Sequence, residues 1–350
     1  MALRVHMQAP LGQTSGYHRD GLGLVRAFNK SGAYVTIQPS DVVTPIPEDI
    51  SKVLTHEPDY PFDLFVNHLN PHTLKIPEDI KDVAWKKVAW TMWEWDSFGP
   101  NTELVRKNLE GYDLVLGYDD TSVQALKATG TDVPVRKLQG GYEPDVWADD
   151  DGKMPERDWF AEEFVFVIAG ELTPRKNPYV LCKALNQLWE EGYKFKLIMK
   201  NKFDFQLPAR MEEAYPFLTI ENGTWPVHKM RELYESAHCY VAPSQGEGKN
   251  LPAIESGTTG CALILSDVAG HREWGHPEFA TFVGGTWNNY DAGCGCLNVD
   301  VVELREACRD LMDNRNKAKQ MGRLAHDILP ATLSWDSVVR KLTTEYLSRI

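Results

Sequence analysis

Two glutamates eight residues apart, Glu247 and Glu255, bracket the turn Gln245-Gly246-Glu247-Gly248-Lys249-Asn250 and the start Leu251-Pro252 of the segment after it. The short apolar run before the turn ends in Pro243-Ser244, so the stretch reads as strand, turn and helix. Proline near the first helical position loses no intrahelical bond there, and Gly260 is suitably placed to end the helix. A helix amino end preceded by glycines offers unpaired N–H groups and partial positive charge, which suits phosphate. Glu247 in the turn and Glu255 inside the helix can face one cleft at different depths. Either acid alone would read simply as a helix-start carboxylate favoured by the dipole.

The elements that must position these groups follow from composition and pattern. At 350 residues the chain can hold two domains with separate cores. Its 43% hydrophobic and 25% charged content is that of a soluble globular protein. Fifty acidic against 37 basic residues give a formal charge of −13, which disfavours holding nucleic acid through a general field. The opening MALRVHMQAP is too short an apolar run for a signal peptide, and no window approaches the roughly 18 apolar residues of a spanning helix. A cytoplasmic protein is expected. All six cysteines lie in the second half without a paired C-x-x-C framework, and Cys294 and Cys296 read as a free-thiol loop rather than a metal or redox pair. No metal is expected.

Strand-like runs alternate with helix-like segments throughout, the pattern of parallel sheets covered by helices. The first half carries such runs at 3–8, 33–39, 63–69, 86–94, 113–118 and 133–138. Asp20 is expected to cap a helix on which Leu22, Val25 and Phe28 keep helical spacing and Gly32 ends the run. The second half carries strands at 164–170, 195–201, 217–223, 238–244, 262–267 and 280–285. Two series of six predict an α/β protein of two Rossmann-like doubly wound domains facing a cleft. Between them, residues 146–160 are poor in apolar periodicity and read as a linker, with Asp149, Asp150 and Asp151 as a solvated hinge rather than a metal-binding D-x-D. The expected division is a first domain at 1–145, a linker at 146–160 and a second domain at 161–332. Near the carboxyl end, Trp335, Val338, Val339, Leu342 and Tyr346 make an amphipathic stripe.

EGKNLPAIE, preceded by VAPS and followed by SDVAGHRE, resembles the donor-site signature of the retaining family-4 glycosyltransferases of the GT-B fold, also known as glycosyl transferases group 1. The resemblance implies that the last helix, 333–350, returns to the first domain. It implies a nucleotide-diphosphate sugar as co-substrate, UDP-, GDP- or ADP-linked, transferred with retention and without a metal or other cofactor. Ser244, Glu247, Gly248, Lys249, Asn250, Leu251 and Glu255 are then donor-binding, with Glu255 on the ribose hydroxyls and Glu247 on the transferred sugar. GELTPRKNPYVL matches the family's diphosphate-binding segment at Gly170 and Lys176, but Glu171 stands where the family has arginine, and Arg175 is the candidate replacement cation. Asn250 stands where the family usually has glycine, and asparagine tolerates the left-handed region better than most residues.

In the first domain the resemblance implies that the loop Gly12-Gln13-Thr14-Ser15-Gly16 lies under the donor. The loop lacks the dinucleotide-binding pattern, and a tight turn before a helix explains its glycines equally well. A histidine near His68 often approaches the donor sugar in such enzymes, which makes His68 a catalytic candidate beside Glu247 and Lys176. A histidine bonded to backbone is the alternative, and His72 reads as surface. Tryptophan stacks on sugar faces, so Trp93, Glu94 and Trp95 at a strand end are candidate acceptor-binding residues. Strand alternation would put the two indoles on one face and Glu94 on the other. The acceptor stays open: a glycan, a lipid-linked sugar, a protein or a small-molecule hydroxyl, with a modified DNA base disfavoured by the acidic balance. A nucleotide-sugar epimerase of the same architecture and a catalytically silent sugar-nucleotide-binding subunit are the competing readings, the latter resting on Glu171.

Overall fold

A computed structural model describes residues 2–11, 16–41, 46–54, 61–147, 153–203, 210–289 and 294–347. The chain divides into two compact units, one of Met1–Glu143, Asn289–Gly295 and Leu333–Ile350, the other of Pro144–Asn288 and Cys296–Thr332.

The first unit is built on six parallel strands: β1 (Arg4–Ala9), β2 (Tyr34–Pro39), β3 (Phe62–Asn67), β4 (Ala84–Thr91), β5 (Leu114–Gly117) and β6 (Val135–Lys137). Their helices are α1 (Gly16–Lys30), α2 (Glu48–Ser51), α3 (Thr102–Asn108) and α4 (Asp120–Ala128). Strand order is β2-β1-β3-β4-β5-β6, which reverses direction between β1 and β3. Each face of the sheet buries its own apolar layer. Val5, Met7, Ile37, Val66, Trp90 and Leu116 lie in one layer, and Phe65, Ala89, Val115 and Leu126 in the other.

The second unit repeats the plan with β7 (Phe164–Gly170), α5 (Pro178–Glu190), β8 (Phe195–Asn201), α6 (Met211–Ala214), β9 (Leu218–Glu221), α7 (Val227–Ser236), β10 (Cys239–Ala242), α8 (Leu251–Thr258), β11 (Ala262–Ser266), α9 (Ala269–Arg272) and β12 (Ala280–Val283). Its order is β12-β11-β10-β7-β8-β9, reversing between β7 and β10. A separate ribbon of β13 (Gly285–Asn289) and β14 (Gly295–Val299) follows, then α10 (Val301–Asp313) and α11 (Arg315–Leu333).

The last helix, α12 (Trp335–Lys341), packs on α1 of the first unit. Ser334 caps it, accepting from the Ser337 N–H, and Trp335, Val338, Val339 and Leu342 are buried. The close fit needs glycine beneath the indole: a Cβ on Gly23 would come within 2.2 Å of the Trp335 ring.

All twelve expected strands exist; β7 and β8 have the expected ends and the others are shifted. β4 stops at Thr91, so Trp93, Glu94 and Trp95 lie beyond the strand, and the alternation expected of them does not apply. Asp20 does not cap α1, which already begins at Gly16. It is buried inside the helix and accepts from the Tyr118 hydroxyl at 2.9 Å. Of the stretch expected as a linker, Trp147 and Trp159 are buried in the second unit, and Asp149, Asp150 and Asp151 lie outside the described residues. Arg157 there donates to the carbonyls of Tyr234 (2.9 Å), Glu235 (3.1 Å), Thr259 (3.3 Å) and Gly260 (2.6 Å), satisfying the carboxyl ends of α7 and α8 together. Among the described residues no helix is long and apolar enough to cross a membrane.

Candidate active site

The second unit's reversal point, between β7 and β10, is where its charged residues converge. The chain leaves β7 into a short turn, Pro174–Lys176, and enters α5 through Asn177, held in the left-handed region at φ 57°. It leaves β10 through Ser244 and the loop to Asn250, also left-handed at φ 66°, and enters α8 at Leu251 with Pro252 in the first turn. Asparagine therefore holds the conformation for which glycine is the usual choice. The two loops are stitched together: the Gln245 N–H donates to the Arg175 carbonyl at 2.8 Å, and Arg175 Nη1 to the Gly246 carbonyl at 2.6 Å.

Glu247 is the hub. Lys176 Nζ lies 2.5 Å from its Oε1, and Arg175 Nη1 lies 3.0 Å from its Oε2. Glu247 is 5% exposed and Lys176 8%, so the pair sits where water screens little. Burial alone would raise the Glu247 carboxyl, but Lys176 and Arg175, with a smaller contribution from His271, outweigh it and hold the group well below the usual carboxylate range.

A polar chain extends from this hub. Lys176 Nζ also donates to Asn250 Oδ1 at 3.3 Å, Asn250 Nδ2 donates to His271 Nε2 at 2.9 Å, and His271 Nδ1 reaches the Ser266 carbonyl at 2.9 Å. An amide N–H only donates and a carbonyl only accepts, so the imidazole is the neutral tautomer with its proton on Nδ1. Burial pushes His271 down to about 4, against the raising influence of Glu247. The histidine is thus an uncharged brace between the end of β11 and Asn250. Gly270 beside it is required by space: a Cβ there would lie 2.0 Å from the Glu247 carbonyl oxygen.

The other residues expected on the donor side are buried around the same loop. Ser244 is fully buried, with no hydrogen-bond partner for its Oγ among the described residues, and Gly248, Lys249, Leu251 and Glu255 are buried. The Lys249 carbonyl accepts from the Trp274 indole at 2.7 Å. Glu171, at the arginine position, is exposed.

Comparison with known proteins decides the family. Residues 149–327 match the model of the family described as glycosyl transferases group 1. The chain belongs to the glycosyl transferases group 1. Curated relatives include the serotype-specific mannosyltransferase WbdA of Escherichia coli, 25% identical over 113 residues that make up 31% of this chain and 14% of that protein. Solved structures of the same fold include sucrose-phosphate synthase from Thermosynechococcus elongatus, 16% identical with a TM-score of 0.71 over 99% of each chain. The Anabaena protein HepE in complex with UDP and glucose is 12% identical with a TM-score of 0.70 over 99% of this chain and 100% of that one. A glycosyltransferase from Rickettsia africae is 13% identical with a TM-score of 0.72 over 99% and 98%. The fold is the GT-B type, two Rossmann-like α/β units.

Within this group 1 chain, Arg175, Lys176, Ser244, Glu247, Gly248, Lys249, Asn250, Leu251 and Glu255 all lie on the turn after β7, on the loop after β10 or in α8. The first-unit candidates lie elsewhere. His68 is fully buried, its Nδ1 2.9 Å from the Trp90 carbonyl, so the imidazole bonded to backbone is what is observed. His72, expected at the surface, is half-buried against the edges of Trp93 and Phe98. Trp93 is half-buried on Phe98 and donates its indole N–H to the Ser97 carbonyl at 2.9 Å, while Glu94 and Trp95 are half-exposed. Gly16 opens α1, and Gly12 lies outside the described residues. Sequence reasoning gave no role to His271, Ser266 or Gly270. The available signal was a histidine just after a strand end, within the SDVAGHRE segment already quoted, but its partner could be known only from the fold.

Proposed function

We propose that the chain transfers a sugar from a nucleotide-diphosphate donor to an acceptor hydroxyl, with retention of configuration and without a metal. The observation that carries this is the convergence of Arg175, Lys176 and Glu247 at the β7/β10 reversal, beside the amino end of α8. The C1–O bond to the diphosphate breaks, the acceptor oxygen bonds C1 on the same face, and its proton passes to a phosphate oxygen. Arg175 and Lys176 then compensate the charge growing on the leaving diphosphate, the work that a metal ion does in other transferases. Glu255 would hold the ribose hydroxyls and Glu247 the transferred sugar. Retention rests on the family resemblance.

The first unit, 1–145 with 333–350, is assigned to the acceptor, and 161–332 to the donor. Trp93, Glu94 and Trp95 lie just past the carboxyl end of β4, which suits an acceptor wall. His68 would act there as a positioning group through Tyr17, whose ring lies 5.1 Å from it. The donor base and sugar are to be found by screening UDP-, GDP- and ADP-linked hexoses by thermal shift, since a ligand of the native state raises stability by mass action. Lys176→Ala and Glu255→Ala should each lower turnover at least about tenfold, from the roughly 1.5–3 kcal/mol of a charged hydrogen bond. Full activity in both variants would reject the assignment. Conversion of the donor sugar without any acceptor, seen by NMR, would favour an epimerase instead.

A further inference from the structure

Three titratable side chains meet in the interior of the first unit. Asp20 lies on α1, His68 just past the end of β3 and Tyr118 just past the end of β5, and all three are fully buried. The Tyr118 hydroxyl donates to Asp20 Oδ2 at 2.9 Å and stands 3.4 Å from His68 Nε2. On the other edge of the imidazole, His68 Nδ1 lies 2.9 Å from the Trp90 carbonyl. A glycine makes this meeting possible: a Cβ on Gly140 would lie 2.4 Å from Tyr118 Cζ and 2.5 Å from the hydroxyl oxygen. The space for that hydroxyl exists only because residue 140 has no side chain.

Donor and acceptor types decide where the protons are. A carbonyl only accepts, so His68 carries a proton on Nδ1. Burial first, and the Asp20 charge second, hold the Tyr118 hydroxyl well above the ordinary phenol range, so it stays an O–H with one proton to give. If that proton points to Asp20 while Nε2 is bare, two acceptors face each other at 3.4 Å. If it points to Nε2 instead, the buried Asp20 carboxylate loses a donor, and a bond left unmade inside a protein is the costly kind. A second proton on the imidazole meets both needs: Nε2–H donates to the phenol oxygen, and the phenol O–H donates to Asp20. The surroundings favour this cation. The Tyr17 ring lies 5.1 Å from the imidazole and the Tyr118 ring stacks on it at 6.0 Å, both within reach of cation–π attraction. The charges acting on Tyr17 are Glu94 and Asp20, both negative. Tyr17 in turn holds the exit of β4, its hydroxyl donating to the Met92 carbonyl at 2.7 Å and accepting from the Met92 N–H at 3.1 Å. We infer that Asp20 and Tyr118 are positioning residues that keep His68 doubly protonated, so that a buried imidazolium anchors Tyr17 against the segment leading into Trp93. The part Tyr17 plays in transfer rests on the transferase reading above; the charge on His68 does not.

The test is nitrogen NMR of the histidine rings on the full chain labelled at histidine, with His68→Gln to identify the His68 signals. At about pH 7.5, one unit above the ordinary imidazole value, both His68 nitrogens should carry protons in the parent. In Tyr118→Phe and in Asp20→Asn, each with thermal melting matched to the parent, Nε2 should have lost its proton at that pH. With the donor found by screening, the alkaline fall of turnover should move down by about one pH unit or more in Asp20→Asn, a shift that a merely structural role would not give. A bare Nε2 in the parent at that pH overturns the inference, and this outcome needs no variant to fold. So does a doubly protonated His68 in either variant, or an alkaline limb that Asp20→Asn leaves in place. The two readings fail separately: nucleotide sugars that never react sink the transferase while the imidazolium stands, and donor turnover with a neutral His68 sinks the positioning role alone.

Discussion

The chain makes the same sheet reversal twice and treats it in opposite ways. At β7/β10 Lys176, Glu247, Asn250 and His271 are all buried and tied to one another. At β1/β3 there is a cavity of about 780 Å³ with Thr73, Lys75 and Glu78 exposed at its edge. Burying opposite charges is tolerated only when each is paired and hydrogen-bonded. The second unit therefore keeps its cations preorganised by supplying an internal carboxylate. The first unit leaves its polar groups in water, where each contact is weaker but many ligand shapes fit. A doubly wound sheet fixes where a ligand goes; the loops decide how tightly its charge is specified.

This contrast is most easily broken at its strongest point. Glu247→Ala removes the shared partner of two cations, one of them buried, and should destabilise the protein by roughly 3–5 kcal/mol in denaturant unfolding, the cost of leaving buried charge uncompensated. Removing exposed Glu78 should leave the midpoint unchanged. Equal, small effects from both would mean that the ion cluster is solvated after all. Gly270→Ala comes next. The Cβ would sit 2.0 Å from the Glu247 carbonyl, so the loop must shift, and a misplaced Glu247 should lower turnover by at least an order of magnitude at a stability cost of about 1–3 kcal/mol. Wild-type turnover would show that the loop position is unimportant.

Acid sharpens the comparison, because each unit has a fully buried histidine that burial holds neutral. Burial pushes His6 of the first unit and His271 of the second down to about 4 from the ordinary 6.5. Between those values the unfolded imidazole takes up a proton that the folded one refuses, so stability falls as pH drops from about 6.5 toward 4, by at most about 3 kcal/mol for each. Glu247 adds a loss below the ordinary carboxylate range, since its depressed value stabilises the fold only while it stays ionised. His271→Gln and His6→Gln should each flatten the upper window in a pH series of unfolding midpoints. Activity separates them. His6 bonds Thr36 between two phenylalanine rings, whereas His271 braces Asn250, so only His271→Gln should lower turnover.

Much of this was legible in the residues, for identifiable reasons. The strands could be read because parallel strands buried on both faces leave continuous apolar runs such as FVFVIAG and FKLIMKN. The ribbon β13–β14 could not, because Gly-Thr-Trp-Asn-Asn has neither such a run nor alternation. β4 was extended too far because tryptophans continue past Thr91, where the backbone has left the sheet. The donor-side residues were legible as a linear motif, but the role of His271 depends on Asn250 standing opposite it, and no pattern in one chain pairs positions 21 residues apart. The cavity of the first unit was equally hidden, since its lining comes from the ends of three strands and the turns between them.

The smallest effect tests whether Asn250 matters for its backbone or for its side chain. At φ 66° glycine fits the position at least as well, so Asn250→Gly relieves strain while deleting the bonds to Lys176 and His271. If the residue only turned the chain, stability and turnover would be unchanged or slightly improved. The polar chain predicts otherwise: His271 Nε2 loses its buried donor, a loss of about 1–2 kcal/mol, and Lys176, freed of one tether, shifts so that the Michaelis constant for donor rises several-fold while the fold persists. Steady-state kinetics with the donor found by screening, beside a denaturant midpoint, separates the two outcomes. A glycine variant indistinguishable from the parent would reduce the brace to a packing detail and leave Arg175, Lys176 and Glu247 as the whole of the charged site.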